Sequence, residues 1–101
     1  MRKIKLFAFL FIFSSPVFAD PKMELGFDVY NDKAQCGICH TLQAAGSEGQ
    51  IGTNLDQLKP LMAQVIATVT NGIGVMPSFE GILSSEEIEA VSYFVSTSTN
   101  Q

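Results

Sequence analysis

The sequence predicts an all-α domain of three main helices joined by long loops, and three observations carry that prediction. Apolar residues recur at helical spacing in two segments of the second half. No segment alternates at strand period over any length. Stretches rich in Gly, Ser and Pro separate the periodic segments. The chain has 101 residues, room for one small domain and not for two. Loops that long in so small a domain are usually wrapped around something.

Residues 1–19 stand apart from the rest. Arg2, Lys3 and Lys5 form a charged start, and Leu6 to Phe13 is a run of eight apolar residues. A polar step with a proline follows, Ser14-Ser15-Pro16, and Val17-Phe18-Ala19 precedes a plausible cut. That is the anatomy of a secretory signal peptide. Eight apolar residues fall short of the roughly 20 that a membrane-spanning helix needs, which argues against an uncleaved anchor. The domain is therefore expected to occupy residues 20–101, without stable membrane insertion once the signal is removed.

Within the domain, residues 20–23 read as an irregular lead. Leu25, Phe27, Val29 and Tyr30 are compatible with a first helix over 24–34. Gly26 inside it costs about 1 kcal/mol against Ala, so close approach by another element is expected there. Residues 46–53 carry no apolar period and read as a loop. Pro60 is placed as the first residue of a second helix, whose apolar face is Leu61, Met62, Val65, Ile66 and Val69 and whose end is Asn71-Gly72. Gly72-Ile73-Gly74-Val75-Met76-Pro77 is irregular. Ser84 and Glu87 form a capping box for the last helix, with Ile88, Val91, Phe94 and Val95 as its apolar stripe. The polar tail from Ser96 is expected to fray.

Without residues 1–19 the chain keeps all ten acidic residues but only Lys22, Lys33 and Lys59 among its cations, a net charge of −7. That balance excludes a basic nucleic-acid footprint and a cationic membrane face.

A domain of this size is often helped by a disulfide, a metal or another bound group. Its two cysteines, Cys36 and Cys39, would close too small a loop to be a useful disulfide staple. They sit in Cys36-Gly37-Ile38-Cys39-His40, and CxxCH is the attachment signature of a c-type haem. Two thiols at this spacing reach the two vinyl groups of one porphyrin, and the next residue sets its imidazole under the iron. A thioredoxin-like redox pair would expect a βαβ context, which is missing. Zinc would want four ligands, and the two Cys and single His supply at most three good ones.

Haem iron in such a site usually has a ligand on its other face. His40 is the only histidine, so a second imidazole is excluded. Met23 lies in the lead and Met62 on an apolar helix face, where packing is its ordinary job. Met76 lies in the Gly-rich loop, 36 residues after His40. It is either a gap-filling loop residue or a thioether brought to the ring face.

Four segments in order, Cys36-Gly-Ile-Cys-His40, Ile51-Gly52-Thr53-Asn54-Leu55-Asp56, Asn71-Gly72-Ile-Gly-Val-Met76-Pro77-Ser-Phe79 and the Leu83-Ser-Ser-Glu-Glu-Ile88 helix start, resemble the class I cytochromes c. The resemblance spans nearly all of residues 20–101. It implies the class I cytochrome c fold, with the loops wrapped around one covalently attached haem c. It implies that Cys36 and Cys39 hold the haem, that His40 is the proximal ligand and that Met76 is the distal one. Gly26 and Phe94 match the family's contact between crossing terminal helices, and Tyr30 matches the aromatic a turn after Gly26. Where the family commonly has Gly-Pro-x-Leu, this chain has Gly52-Thr53-Asn54-Leu55. The carbonyl that usually accepts the histidine Nδ1–H is therefore expected on Thr53, without proline's fixed φ.

A six-coordinate His/Met haem leaves no open position for a substrate, which favours electron transfer over catalysis. The function expected is a periplasmic one-electron carrier, not an enzyme, cycling between Fe(II) and Fe(III) with redox-partner proteins as donor and acceptor. The alternative is the haem subunit of a periplasmic oxidoreductase complex, for example of a sulfite dehydrogenase type. A ligand-binding or peroxidatic haem would need Met76 to leave the iron, and no second histidine supports it.

Overall fold

Asp20 opens the first helix of the computed structural model, which describes residues 20–101; the expected signal segment, 1–19, lies outside the described residues. The Asp20 side chain accepts from the Lys22 amide at 2.9 Å, and Pro21 takes the first helical position. Its missing N–H is no loss there. Helix α1 spans Pro21–Asp28 and runs on as a wider π turn over Val29–Lys33. The expected irregular lead is thus helical, because the Asp–Pro start at 20–21 outweighs its lack of apolar period.

A two-residue ladder follows. Strands β1 (Thr41–Leu42) and β2 (Ser47–Glu48) pair antiparallel, Thr41 with Glu48 and Leu42 with Ser47. β2 lies in the 46–53 stretch that the sequence reads as loop, and both strands are too short to leave a periodic signal. The one-turn helix α2, Leu55–Leu58, is capped by Asn54, which accepts from the Gln57 amide. Helix α3 is Met62–Asn71, starting two residues later than Pro60 suggests. Pro60 is buried and Leu61 is exposed at 65%. Gly72, at φ 73°, ends the helix as expected.

Helix α4 spans Ser85–Thr99 with both bonds of its capping box in place: Glu87 N–H to Ser84 Oγ at 3.1 Å, and Ser84 N–H to Glu87 Oε1 at 2.9 Å. The tail does not fray from Ser96. Thr99 is buried and donates to the Val95 carbonyl at 2.8 Å, and Asn100 Nδ2 donates to the Pro60 carbonyl at 3.1 Å. Polar residues hold this end by bonding the backbone, which an apolar pattern does not reveal.

The core lies where α4 crosses α1 and packs along α3. Val29, Tyr30, Leu42, Val69, Leu83, Ile88, Val91, Phe94 and Val95 form its buried cluster. Gly26 sits at the α1–α4 crossing. A Cβ there would fall 2.2 Å from the Ala90 carbonyl oxygen and 2.5 Å from Phe94 Cβ. Phe94 then meets Phe27 edge-on at 5.7 Å and Tyr30 at 6.0 Å between centroids. The close approach that explains the costly glycine is present. Two ion pairs bridge from this first helical segment to α4, Lys22 to Glu89 and Lys33 to Glu87.

Candidate functional site

The four candidate residues Cys36, Cys39, His40 and Met76 line one cavity of about 540 Å³. Pockets that bury a ligand of cofactor size run from about 300 to 1,000 Å³. The floor is the inner face of α3 and α4, where Val65, Val69, Val91 and Val95 present apolar surface. The mouth carries Ile38, Ile51, Ile73 and Val75, all exposed, Val75 at 91%.

The cysteines stand on a tight turn at the end of the first helical segment. Cys36–Ile38 is a single 3-10 turn, entered through Gln35 at φ 51°, and the amides of Cys39 and His40 both donate to the Cys36 carbonyl. This folds the chain so that the two thiols and the imidazole share one cavity. No disulfide joins Cys36 to Cys39. Burial pushes the Cys36 thiol up to about 11. Among the described residues no three His, Cys, Asp or Glu side chains gather into a metal-holding cluster, so the donor set does not build a zinc centre.

His40 is held at its ring. Its Nδ1 lies 2.6 Å from the Thr53 carbonyl. A carbonyl only accepts, so Nδ1 carries the proton and Nε2 keeps its lone pair. Gly52 lies flat against the imidazole: a Cβ there would fall 2.7 Å from His40 Cε1. The carbonyl expected on Thr53 therefore does its work without proline, and Gly52 is the residue that lets the loop come close.

Met76 is placed by a small turn. Ile73 and Met76 exchange both backbone bonds, at 3.0 and 2.9 Å, around Gly74 and Val75. The segment is fastened to the end of α3 by Phe79 N–H to the Val69 carbonyl, 2.9 Å, and by Ser78 Oγ to the Thr70 carbonyl, 2.6 Å. Of the three methionines among the described residues, only Met76 lines the cavity; Met23 packs on the core from α1. The residues fit a covalently attached haem: two unbridged thiols at the attachment spacing, an imidazole with a free Nε2, a thioether, and apolar walls.

Sequence reasoning missed Tyr30 as a member of the site. It lines the cavity, and its hydroxyl meets Ser47 Oγ at 2.8 Å. The partners are 17 residues apart, and no local pattern announces such a contact.

Comparison with known proteins gives the family. A family model described as cytochrome C oxidase, cbb3-type, subunit III matches residues 21–95. A cytochrome c6 of Leptolyngbya boryana is 34% identical over 74 residues, covering 69% of this chain and 85% of its own. A cytochrome c6 of a Nostoc species is 34% identical over 95 residues, covering 86% and 79%. Among solved structures, the crystal structure of the c-type cytochrome SorU from Sinorhizobium meliloti is similar at a TM-score of 0.75. It is 47% identical, over 80% of this chain and 94% of that one.

Proposed function

The chain belongs to the class I c-type cytochromes, with one covalently bound haem c, and from that premise we propose a periplasmic one-electron carrier with His/Met ligation. In this reading residues 1–19 are the export signal and 20–101 the mature domain. Cys36 and Cys39 form the two thioethers, His40 is the proximal ligand and Met76 the distal one, with the loops of the domain wrapped around the group. The observation that carries it is the convergence of these four side chains, drawn from two segments 36 residues apart, on one apolar cavity.

When bound, haem supplies the iron that takes up and releases one electron, and Met/His ligation raises its potential. The chain does the rest. Thr53 fixes the His40 tautomer and, by accepting from Nδ1–H, makes the imidazole the more basic donor. The bonds to Val69 and Thr70 hold the Met76 turn at the cavity. Apolar walls from α3 and α4 give the site a low-dielectric surrounding on that side. With His40 and Met76 both holding the iron, no coordination position would remain for a substrate, which supports a carrier role over an enzymatic one.

The test is mass and spectrum together. Protein matured with a c-type maturation system should keep its haem through acid–acetone extraction and weigh apoprotein plus one haem. Cys36→Ser with Cys39→Ser should abolish this. Properly matured material that shows an intact Cys36–Cys39 disulfide would end the reading.

A further inference from the structure

We propose that the Tyr30 hydroxyl is a positioning group for His40, acting through Ser47 and the short hairpin Thr41–Glu48. This rests on His40 being the proximal ligand. Packing alone asks only for a phenyl ring at position 30, since what Phe94 meets there is a ring edge. Yet Tyr30 is fully buried, and a buried hydroxyl is costly unless it is bonded. Its oxygen lies 2.8 Å from Ser47 Oγ and 3.5 Å from the His40 carbonyl oxygen. The π turn at Val29–Lys33 lies where Tyr30 is buried, closed by Ala34 N–H to the Val29 carbonyl at 2.8 Å.

Ser47 is the hinge of the argument. It pairs with Leu42 in the ladder, and it lies so close to the attachment turn that a Cβ on Gly37 would fall 2.7 Å from its own Cβ. Just past the ladder, Gly49 N–H donates to the His40 carbonyl at 3.2 Å. His40 is thus held at both ends: its ring by Thr53 and its backbone by the hairpin that Tyr30 fastens. Without the hydroxyl, the hairpin keeps its ladder but loses its tie to the first helical segment. The backbone of His40 then gains freedom, and the Nδ1–H bond to Thr53 loosens. A looser bond makes the imidazole a weaker donor, which disfavours the ferric state.

The experiment uses the ferrous holoprotein with Tyr30→Phe, Ser47→Ala and the double variant, read by amide exchange and by redox titration. Each single variant should speed exchange at the Gly49 amide about five-fold, the ratio that one neutral hydrogen bond sets, and should raise the midpoint potential. The double variant should move neither quantity further than the larger single one, because both act on one bond. An unchanged potential in both single variants overturns the proposal, as do fully additive effects. If Tyr30→Phe does not fold, Ser47→Ala alone decides, and an unshifted potential refutes the idea. Failure of the ligand assignment looks different: wild-type protein would already lack a low-spin, six-coordinate spectrum, and both readings would fall together.

Discussion

His40 and Thr53, 13 residues apart, are joined by a hydrogen bond of 2.6 Å from imidazole Nδ1 to a backbone carbonyl. Nothing about the threonine side chain is needed for it. What the bond needs is the neighbour, Gly52, whose missing side chain lets the loop lie on the ring.

Gly52→Ala should therefore disturb the site more than any change of the Thr53 side chain. The added methyl meets ring atoms at 2.7–3.1 Å, so ring or loop must move. The variant should still attach haem but show a raised midpoint potential, because the Nδ1–H···O bond lengthens. Thr53→Val keeps the carbonyl and should leave the potential near wild type. The opposite ranking in redox titrations would show that the side chain of residue 53, not its carbonyl, matters.

Gly26→Ala tests the helix crossing. Helix propensity alone would reward the change by about 1 kcal/mol. The clash with the Ala90 carbonyl and Phe94 Cβ should reverse the sign, costing about 1–3 kcal/mol net as α1 is pushed off α4. Denaturant unfolding of the holoprotein measures it. A more stable variant would mean that the two helices separate without cost.

These positions also show what a sequence can disclose. The attachment turn, the Met76 loop and the Ser84–Glu87 box were legible because each is a local signature whose chemistry lies within a few residues. The start of α1 was misread for want of apolar period, although Asp20-Pro21 carried a capping signal of its own. The Thr99 and Asn100 bonds that hold the end of α4, and the Tyr30–Ser47 pair, join polar groups across folds of the chain. Hydrophobic periodicity is blind to such contacts, since they depend on which backbone groups the fold brings together.

Alkaline stability should report on Tyr30. Burial raises its phenol from the ordinary value of about 10 to about 12, although the Ser47 bond pulls the other way. The folded state holds the proton more tightly than the unfolded one. The stabilisation is therefore complete below pH 10 and is lost as the pH rises toward 12. Unfolding free energy should fall across that window in wild type and fall less steeply in Tyr30→Phe. Parallel curves would place the hydroxyl in water.

The two candidate thioethers separate cleanly by substitution. Met76→Ala should remove the weak iron–sulfur charge-transfer band of the oxidised protein, open the iron to added ligands and lower the potential. Met62, partly exposed on α3 and away from the cavity, should give an unchanged spectrum when cut to Ala. Its stability loss should stay at or below the roughly 2 kcal/mol that begins the range for buried methionines. Loss of the band in Met62→Ala with retention in Met76→Ala would reverse the ligand assignment.

Partner choice follows from where the charges went. Lys22 and Lys33 are taken up by Glu89 and Glu87, so among the described residues Lys59 is the one lysine outside an ion pair. These pairs also neutralise two of the three α4 glutamates that a sequence reading leaves free. The described residues carry no lysine ring for docking, and the cavity mouth presents Ile38, Ile51, Ile73 and Val75. The remaining acids include Glu24, Asp28 and Asp32, exposed and four residues apart along the first helical segment. Docking at an apolar mouth predicts electron-transfer rates that change little across an ionic-strength series, because no close charge pairs need screening. Stopped-flow mixing with one basic and one acidic redox protein checks this. A steep fall with salt for the basic protein alone would move the docking face to the acidic stripe. Faster transfer to the acidic protein at low salt would contradict both faces.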